Sequence, residues 1–272
     1  MRLIKLLSLI LIIFTSICCE NKVTKTDTKT DVKLDSTITP VQKNIKSIIS
    51  KSNGKTTKGS VTVITKIFSV LGKNNDTATF YWPLISDCPK AIADSINKTI
   101  DKLGITESSA KDLQSEYADC SCGTIGSWFD VNCDSSTILS ISITIETMGA
   151  YPDSYLQRLN FNTKTGSLLQ LTDLLNKDSL TTVTNLLNIQ LKKSVDKGLK
   201  TIIDQEGDAA GNEIDILNQS SFTKEMLNNF IITSKGITFY YSFNFPHAVK
   251  ALEPDNDFLL TWKILKPYLL SK

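Results

Sequence analysis

The sequence holds one histidine, His247, among its 272 residues. A histidine-rich metal site needs at least a second imidazole, so that class of centre is excluded. His247 sits in Phe245-Pro246-His247-Ala248, a turn after a strand pattern, where a solvent-facing or capping role is commoner than a catalytic one. Motifs that mark common chemistries are missing too: there is no Gly-x-Ser-x-Gly elbow, no Gly-x-Gly-x-x-Gly loop and no phosphate-cradling Gly-Lys-Ser/Thr loop. An excess of one charge is lacking as well. Thirty Lys and Arg against 28 Asp and Glu leave a net charge of +2, which argues against a nucleic-acid binder built on a basic face. No cofactor is implied and no catalytic motif is present, so a non-enzymatic role is expected, with an enzyme built on a carboxylate pair that sequence spacing does not reveal as the alternative.

What is present begins at the N-terminus. Arg2 and Lys5 precede an apolar run over 6–17 that has the length of a secretory signal and is too short to span a membrane comfortably. Thr15-Ser16-Ile17-Cys18-Cys19 follows, and a cysteine in this place resembles the lipidation site of bacterial lipoproteins. Cys19 is the favoured acceptor and Cys18 the alternative, because Cys18 would put the larger Ile17 at the cleavage position. A plain signal peptide or an uncleaved anchor competes with this reading. With several alkyl chains attached, each buried methylene adds about 0.8 kcal/mol of membrane affinity. The expected location is therefore the bacterial cell envelope, outside the cytoplasm, with the membrane as a partner. Residues 1–18 are read as a lipoprotein signal peptide and 19–58 as a flexible tether, rich in Lys, Thr, Asp and Ser and too poor in apolar residues to build a core.

The remainder, with 41% hydrophobic residues over the whole chain, can bury an ordinary core. Strand patterns cover 61–70 and 77–85, joined by a Gly72 to Asp76 turn. Pro89 suits a first helical turn, and Ile92, Ile96, Ile100 and Leu103 then share one helix face. A second helix is expected over 108–117, followed by strands over 125–132 and 136–147. In the latter, Ile141, Ile143 and Ile145 alternate with Ser142, Thr144 and Glu146. A Gly-Pro turn leads to a strand over 155–161, and 162–166 forms a turn in which Gly166 supplies positive φ. After a short apolar run over 168–175, Asp178 can cap a helix to about Leu199. Asp204, Glu206, Asp208, Glu213 and Asp215 lack the spacing and closing Glu of a calcium loop and read as solvated loop, so no metal is expected. Short connections favour an α+β fold: antiparallel sheets with helices packed on one side, in two small, closely packed subdomains over 59–135 and 136–272.

The order of strand, Gly-x-Tyr-Pro turn, strand ending Asn160-Phe161-Asn162, Lys164-Thr165-Gly166 turn, Leu171-Thr172-Asp173-Leu174-Leu175 segment and helix resembles the extracytoplasmic domain of RsiV-type anti-sigma factors and PdaC-type proteins. The hairpin pattern over 229–243 and the strand and short helix over 258–269 extend the resemblance. It implies a PdaC-like first subdomain, an RsiV-like second one, and a cell-wall-related ligand, either a lysozyme-type muramidase or peptidoglycan itself. Some relatives carry a deacetylase domain whose metal site needs an Asp and two histidines. One histidine cannot supply it, so that activity is not carried over.

Cys88, Cys120, Cys122 and Cys133 remain after processing, and four cysteines in an exported chain read first as two disulfides. Cys88 is expected to pair with Cys120 or Cys122 and Cys133 with the other, with zinc as the competing use. Among the aromatics, Phe239, Tyr241 and Phe243 share one strand face and Tyr240 takes the other. Most of the aromatics in strands and turns, a set that includes Trp128 and Phe129, are expected in the core. Tyr151, Tyr155 and Tyr240 are the candidates for a ligand-binding surface, where exposed rings suit glycan stacking or protein contact.

Overall fold

The structure is a computed structural model, which describes residues 61–72, 76–103, 117, 121–206 and 211–270. All of these fall in one compact unit, Pro40–Lys272. The signal, Cys18, Cys19 and the tether lie outside the described residues, as does Cys120 and nearly all of the helix expected over 108–117.

Five strands form the first sheet, in the order β1-β2-β3-β4-β5: β1 Thr62–Leu71, β2 Thr77–Ser86, β3 Gly123–Asp134, β4 Ile138–Met148 and β5 Pro152–Asn162. Helix α1, Lys90–Asp101, follows β2. Because the chain crosses over between β2 and β3, those two strands run parallel, pairing Thr79 with Gly126 and Phe80 with Ser127. The expected antiparallel pairing holds between the other neighbours, and this crossover is the one parallel step. The pleat divides the sheet into two faces. One carries Phe80, Trp82, Ile141, Ile143, Leu159 and Phe161 against Ile96 and Ile100 of α1, the first core. Gly166, at φ +73°, closes the turn after β5, and its carbonyl accepts from Ser95 Oγ at 3.0 Å, which ties that turn to α1.

The second sheet is β6 Phe230–Ile232, β7 Gly236–Tyr240 and β8 Asp257–Thr261, in that order. Helix α2, Leu180–Glu206, lies on it, with Leu187, Leu191 and Ile202 packed among Phe222, Phe230, Phe239, Phe258 and Leu260 in the second core. Sequence periodicity ends this helix near Leu199, but it continues, since Ile202 recurs seven residues after Val195 on the buried side. Gly198 is tolerated inside it because a Cβ there would overlap the Pro254 ring. The acidic stretch read as loop is helical at both ends. Asp204 and Glu206 lie in the last turn of α2, while Glu213 and Asp215 belong to α3, Gly211–Asn218, which buries Leu217. Asn176, not Asp178, caps the turn before α2, its Oδ1 accepting from Asp178 N at 3.0 Å.

The cores therefore divide the chain near 162–171. Position 135/136, expected as the boundary, lies between β3 and β4, which pair along their length within one sheet. A long hairpin buries its inner face only as a unit, so it cannot be cut there. One mixed and one antiparallel sheet, together with the helices packed on them, bear out the α+β class.

Candidate functional site

The second face of the five-stranded sheet follows from the register. Gly126, Trp128 and Asp130 of β3 stand opposite Glu146, Thr144 and Ser142 of β4, and those opposite Ser154, Leu156 and Arg158 of β5. On the other side, the β2 register with β3 carries Thr79 beside Gly126, and one step further Tyr81 beside Trp128, while Ile67 of β1 faces Tyr81. One row of side chains thus crosses all five strands: Ile67, Tyr81, Trp128, Thr144 and Leu156. Ile67 is 56% exposed and Leu156 37%. Tyr81 and Trp128 are half-buried and belong to neither core. Sequence patterning placed Trp128 among the mainly core aromatics and did not single out Tyr81. The signal was alternation with buried Ser127 and Phe129, which puts Trp128 on the opposite face.

Two carboxylates flank this row. Glu146 Oε2 lies over the Gly126 backbone, 3.2 Å from where a Cβ would be, so only glycine leaves it that position without displacement. Asp130 is two residues from Trp128 on the other side. Loss of water to partial burial raises the Asp130 carboxyl above the usual aspartate range. Towards the end of β3 and β4 the second sheet covers this face, and a buried network joins the two sheets there. Ser140 Oγ donates to Asn160 Oδ1 at 2.7 Å, Asn160 Nδ2 donates to the Phe230 carbonyl at 2.9 Å, and Ile232 N donates to Ser140 Oγ at 3.1 Å.

The three expected tyrosines do not form one surface. Tyr155, 44% exposed, stands opposite Ile145 on the face that α1 covers, at its open rim. Tyr240 stacks under the Arg158 guanidinium, whose Cζ is 3.5 Å from the ring centroid, while Arg158 Nη1 donates to Asn229 Oδ1 at 3.0 Å. Burial raises the Tyr240 hydroxyl, with Arg158 opposing, and burial lowers Arg158. This pair fastens β5 to β7. Tyr151, 69% exposed, is at the tip of the β4–β5 hairpin and stacks on His247 with centroids 5.3 Å apart. His247 Nε2 is 3.1 Å from the Pro152 carbonyl, and Lys250 pairs with Asp153 at 3.2 Å. The backbone N–H of Ser154, then Lys250, hold the Asp153 carboxyl below its usual range. His247 thus serves as a contact between the hairpin tip and the 247–252 turn.

Cys88 and Cys133 are free thiols, which overturns the two-bridge framework. The reason is topological: Cys88 packs against the first core, whereas Cys133, opposite Ser140 on the second face, packs against the second. Cys122 is disulfide-bonded, to neither of these two. No group of three or more metal-ligating side chains is found among the described residues.

Next to Cys133, Asp134 Oδ1 is buried without a hydrogen-bond partner, and burial raises its carboxyl. A raised acid loses stability as pH climbs from the ordinary aspartate value, about 4, through its folded value. Asp134→Asn is expected to raise Tm at neutral pH by about 1–3 °C. That corresponds to roughly 0.5–1 kcal/mol, a discounted figure because water still screens the carboxyl. The gain should vanish below about pH 4, where both side chains are neutral. Equal Tm values at neutral pH by scanning calorimetry would contradict it.

No family model and no curated protein matches this chain. Among solved structures, a DUF3298-family protein from Pseudomonas aeruginosa aligns with TM-score 0.51 and 9% identity over 78% of this chain and 94% of its own. A DUF3298-family member from Bacteroides fragilis aligns with TM-score 0.50 and 17% identity over 79% of this chain and 96% of its own. At these identities the likeness is one of fold: the chain is folded like DUF3298-family proteins from two bacteria.

Proposed function

We propose that this protein is a lipid-anchored, non-catalytic binding module of the bacterial envelope and that its ligand is a glycan of the cell wall. The observation that supports this best is the Tyr81–Trp128 row, two large aromatic side chains on an open sheet face and outside both cores. Sugar rings present flat C–H faces to aromatic rings, while their hydroxyls can donate to the Glu146 carboxylate and exchange hydrogen bonds with the hydroxyls of Thr79 and Thr144 in and beside this row. In this reading Cys19, or else Cys18, carries the lipid, and 19–58 holds the folded part away from the membrane. The resemblance to RsiV-type and PdaC-type ectodomains supports a wall-related ligand and makes a lysozyme-type muramidase the competitor to test.

The full-length protein in detergent would be sedimented with purified peptidoglycan and, separately, titrated with a lysozyme by calorimetry. Peptidoglycan binding is expected, and Trp128→Ala should weaken it at least tenfold, about 1.4 kcal/mol, with Tm little changed because Trp128 supports neither core. Binding to lysozyme alone would replace the glycan by the protein ligand. Neither ligand bound at high micromolar protein, or release of soluble wall fragments by the protein, would overturn the proposal. Recovery of the mature protein unacylated from the cytosol would remove its anchoring part.

A further inference from the structure

Two carboxylates stand in the rows beside the aromatic one, and the guanidinium in the row of Asp130, that of Arg158, is turned onto the Tyr240 ring. Asp130 and Glu146 border the aromatic row on either side of Trp128, each displaced from it by one two-residue step along the strands, roughly 6.6 Å. No ion pair among the described residues engages either of them. Arg158 stacks on Tyr240 and donates to Asn229, and Lys250, outside the strands, pairs with Asp153 at the hairpin tip. Lys66 pairs with Trp82 and so projects from the opposite face. A ligand carrying carboxylates or sulfates would meet two carboxylates that no ion pair among the described residues engages, while a ligand carrying ammonium groups would pair with them. Trp128 adds to the same preference, because the face of an indole attracts cations.

The row also has a direction. It runs across the strands, and successive strands are about 4.8 Å apart, close to the advance of one β-linked pyranose along its chain. An extended oligosaccharide laid along the row would therefore bring about one ring to each strand, with its substituents reaching the rows of Asp130 and Glu146 on either side.

From this we propose that the open face selects a β-linked glycan whose residues bear free amino groups, its rings over Trp128 and Tyr81 and its ammonium groups against Asp130 and Glu146. The proposal rests on the glycan reading above and sharpens it from any wall glycan to a de-acetylated one. An ammonium group near Asp130 would also favour the charged form that partial desolvation opposes in the free protein.

The test titrates the full-length protein with β-linked glucosamine oligomers and with the same oligomers fully N-acetylated, at equal length and moderate salt. The amine-bearing series is expected to bind at least tenfold tighter. In an Asp130→Asn/Glu146→Gln variant the preference should shrink to within about twofold, while the weaker binding of the acetylated series is kept. Equal affinity of both series for the native protein would overturn amine selection and leave the glycan reading standing. An amine preference undiminished in the double variant would overturn the assignment to these two carboxylates. Failure of both series to bind would overturn the inference and the glycan reading together, and circular dichroism of the variant would show that its fold is intact.

Discussion

Replacing Asn160 by alanine is expected to destabilise the protein by about 3–5 kcal/mol, one of the two largest effects of any single substitution considered. Asn160 is almost fully buried on β5, and its amide serves three groups. Its Nδ2 satisfies the Phe230 carbonyl at 2.9 Å, and its Oδ1 accepts from Ser140 Oγ at 2.7 Å and from Ile232 N at 3.2 Å. Truncation leaves a buried carbonyl without its donor and weakens the support of a backbone N–H and a hydroxyl, at about 1–3 kcal/mol for each group left unpaired. Because these bonds join the five-stranded sheet to β6, the loss should also lower cooperativity between the two cores. Denaturant titration followed separately through near-ultraviolet and far-ultraviolet signals would check it. A loss under about 1 kcal/mol would mean that water replaces the amide and that the network does not hold the sheets together.

Gly236→Ala is expected to cost about 3 kcal/mol. Gly236 opens β7 opposite Thr261 of β8, and a Cβ there would overlap the Leu260 carbonyl and the Thr261 Cα. Neither obstacle is the end of a flexible side chain, so the strands themselves must separate, at the upper end of what overpacking usually costs. The same position anchors the preceding turn, since the Gly236 carbonyl accepts from Thr233 N at 2.8 Å. Gly149→Ala is the control: a Cβ at Gly149 meets nothing within 4 Å, and the change should stay within about 0.5 kcal/mol. If the two alanine variants unfold at the same denaturant concentration, the close approach of β7 and β8 is wrong.

Local elements were legible where one period dominates the chain. The isoleucines of β4 alternate over three repeats and the apolar residues of α1 recur at helical steps, so both were placed within a few residues of their observed bounds. Reading was poorer where burial, not composition, decides. The acidic stretch around Glu213 has loop chemistry residue by residue, yet α3 forms because Leu217 gains burial against α2 and the second core. Tyr151, Tyr155 and Tyr240 look alike in sequence, as aromatics in turns and strands. In space one stacks on His247, one lies at the rim of the helix-covered face, and one lies under Arg158.

By itself the sequence determined the strands of the five-stranded sheet, α1 and most of α2, the α+β class, the exclusion of histidine-rich metal chemistry, and the glycine that closes the turn after β5. These depend on periodicity and backbone freedom, which a chain carries locally. Only the tertiary structure decided that β2 and β3 run parallel, that the core boundary falls after β5, that Cys88 and Cys133 stay apart, and that Tyr81 and Trp128 meet in one row between two carboxylates. Each of those facts depends on which strand lies beside which, and neighbours far apart in the chain are chosen by the burial of whole faces, a property no short stretch of sequence contains.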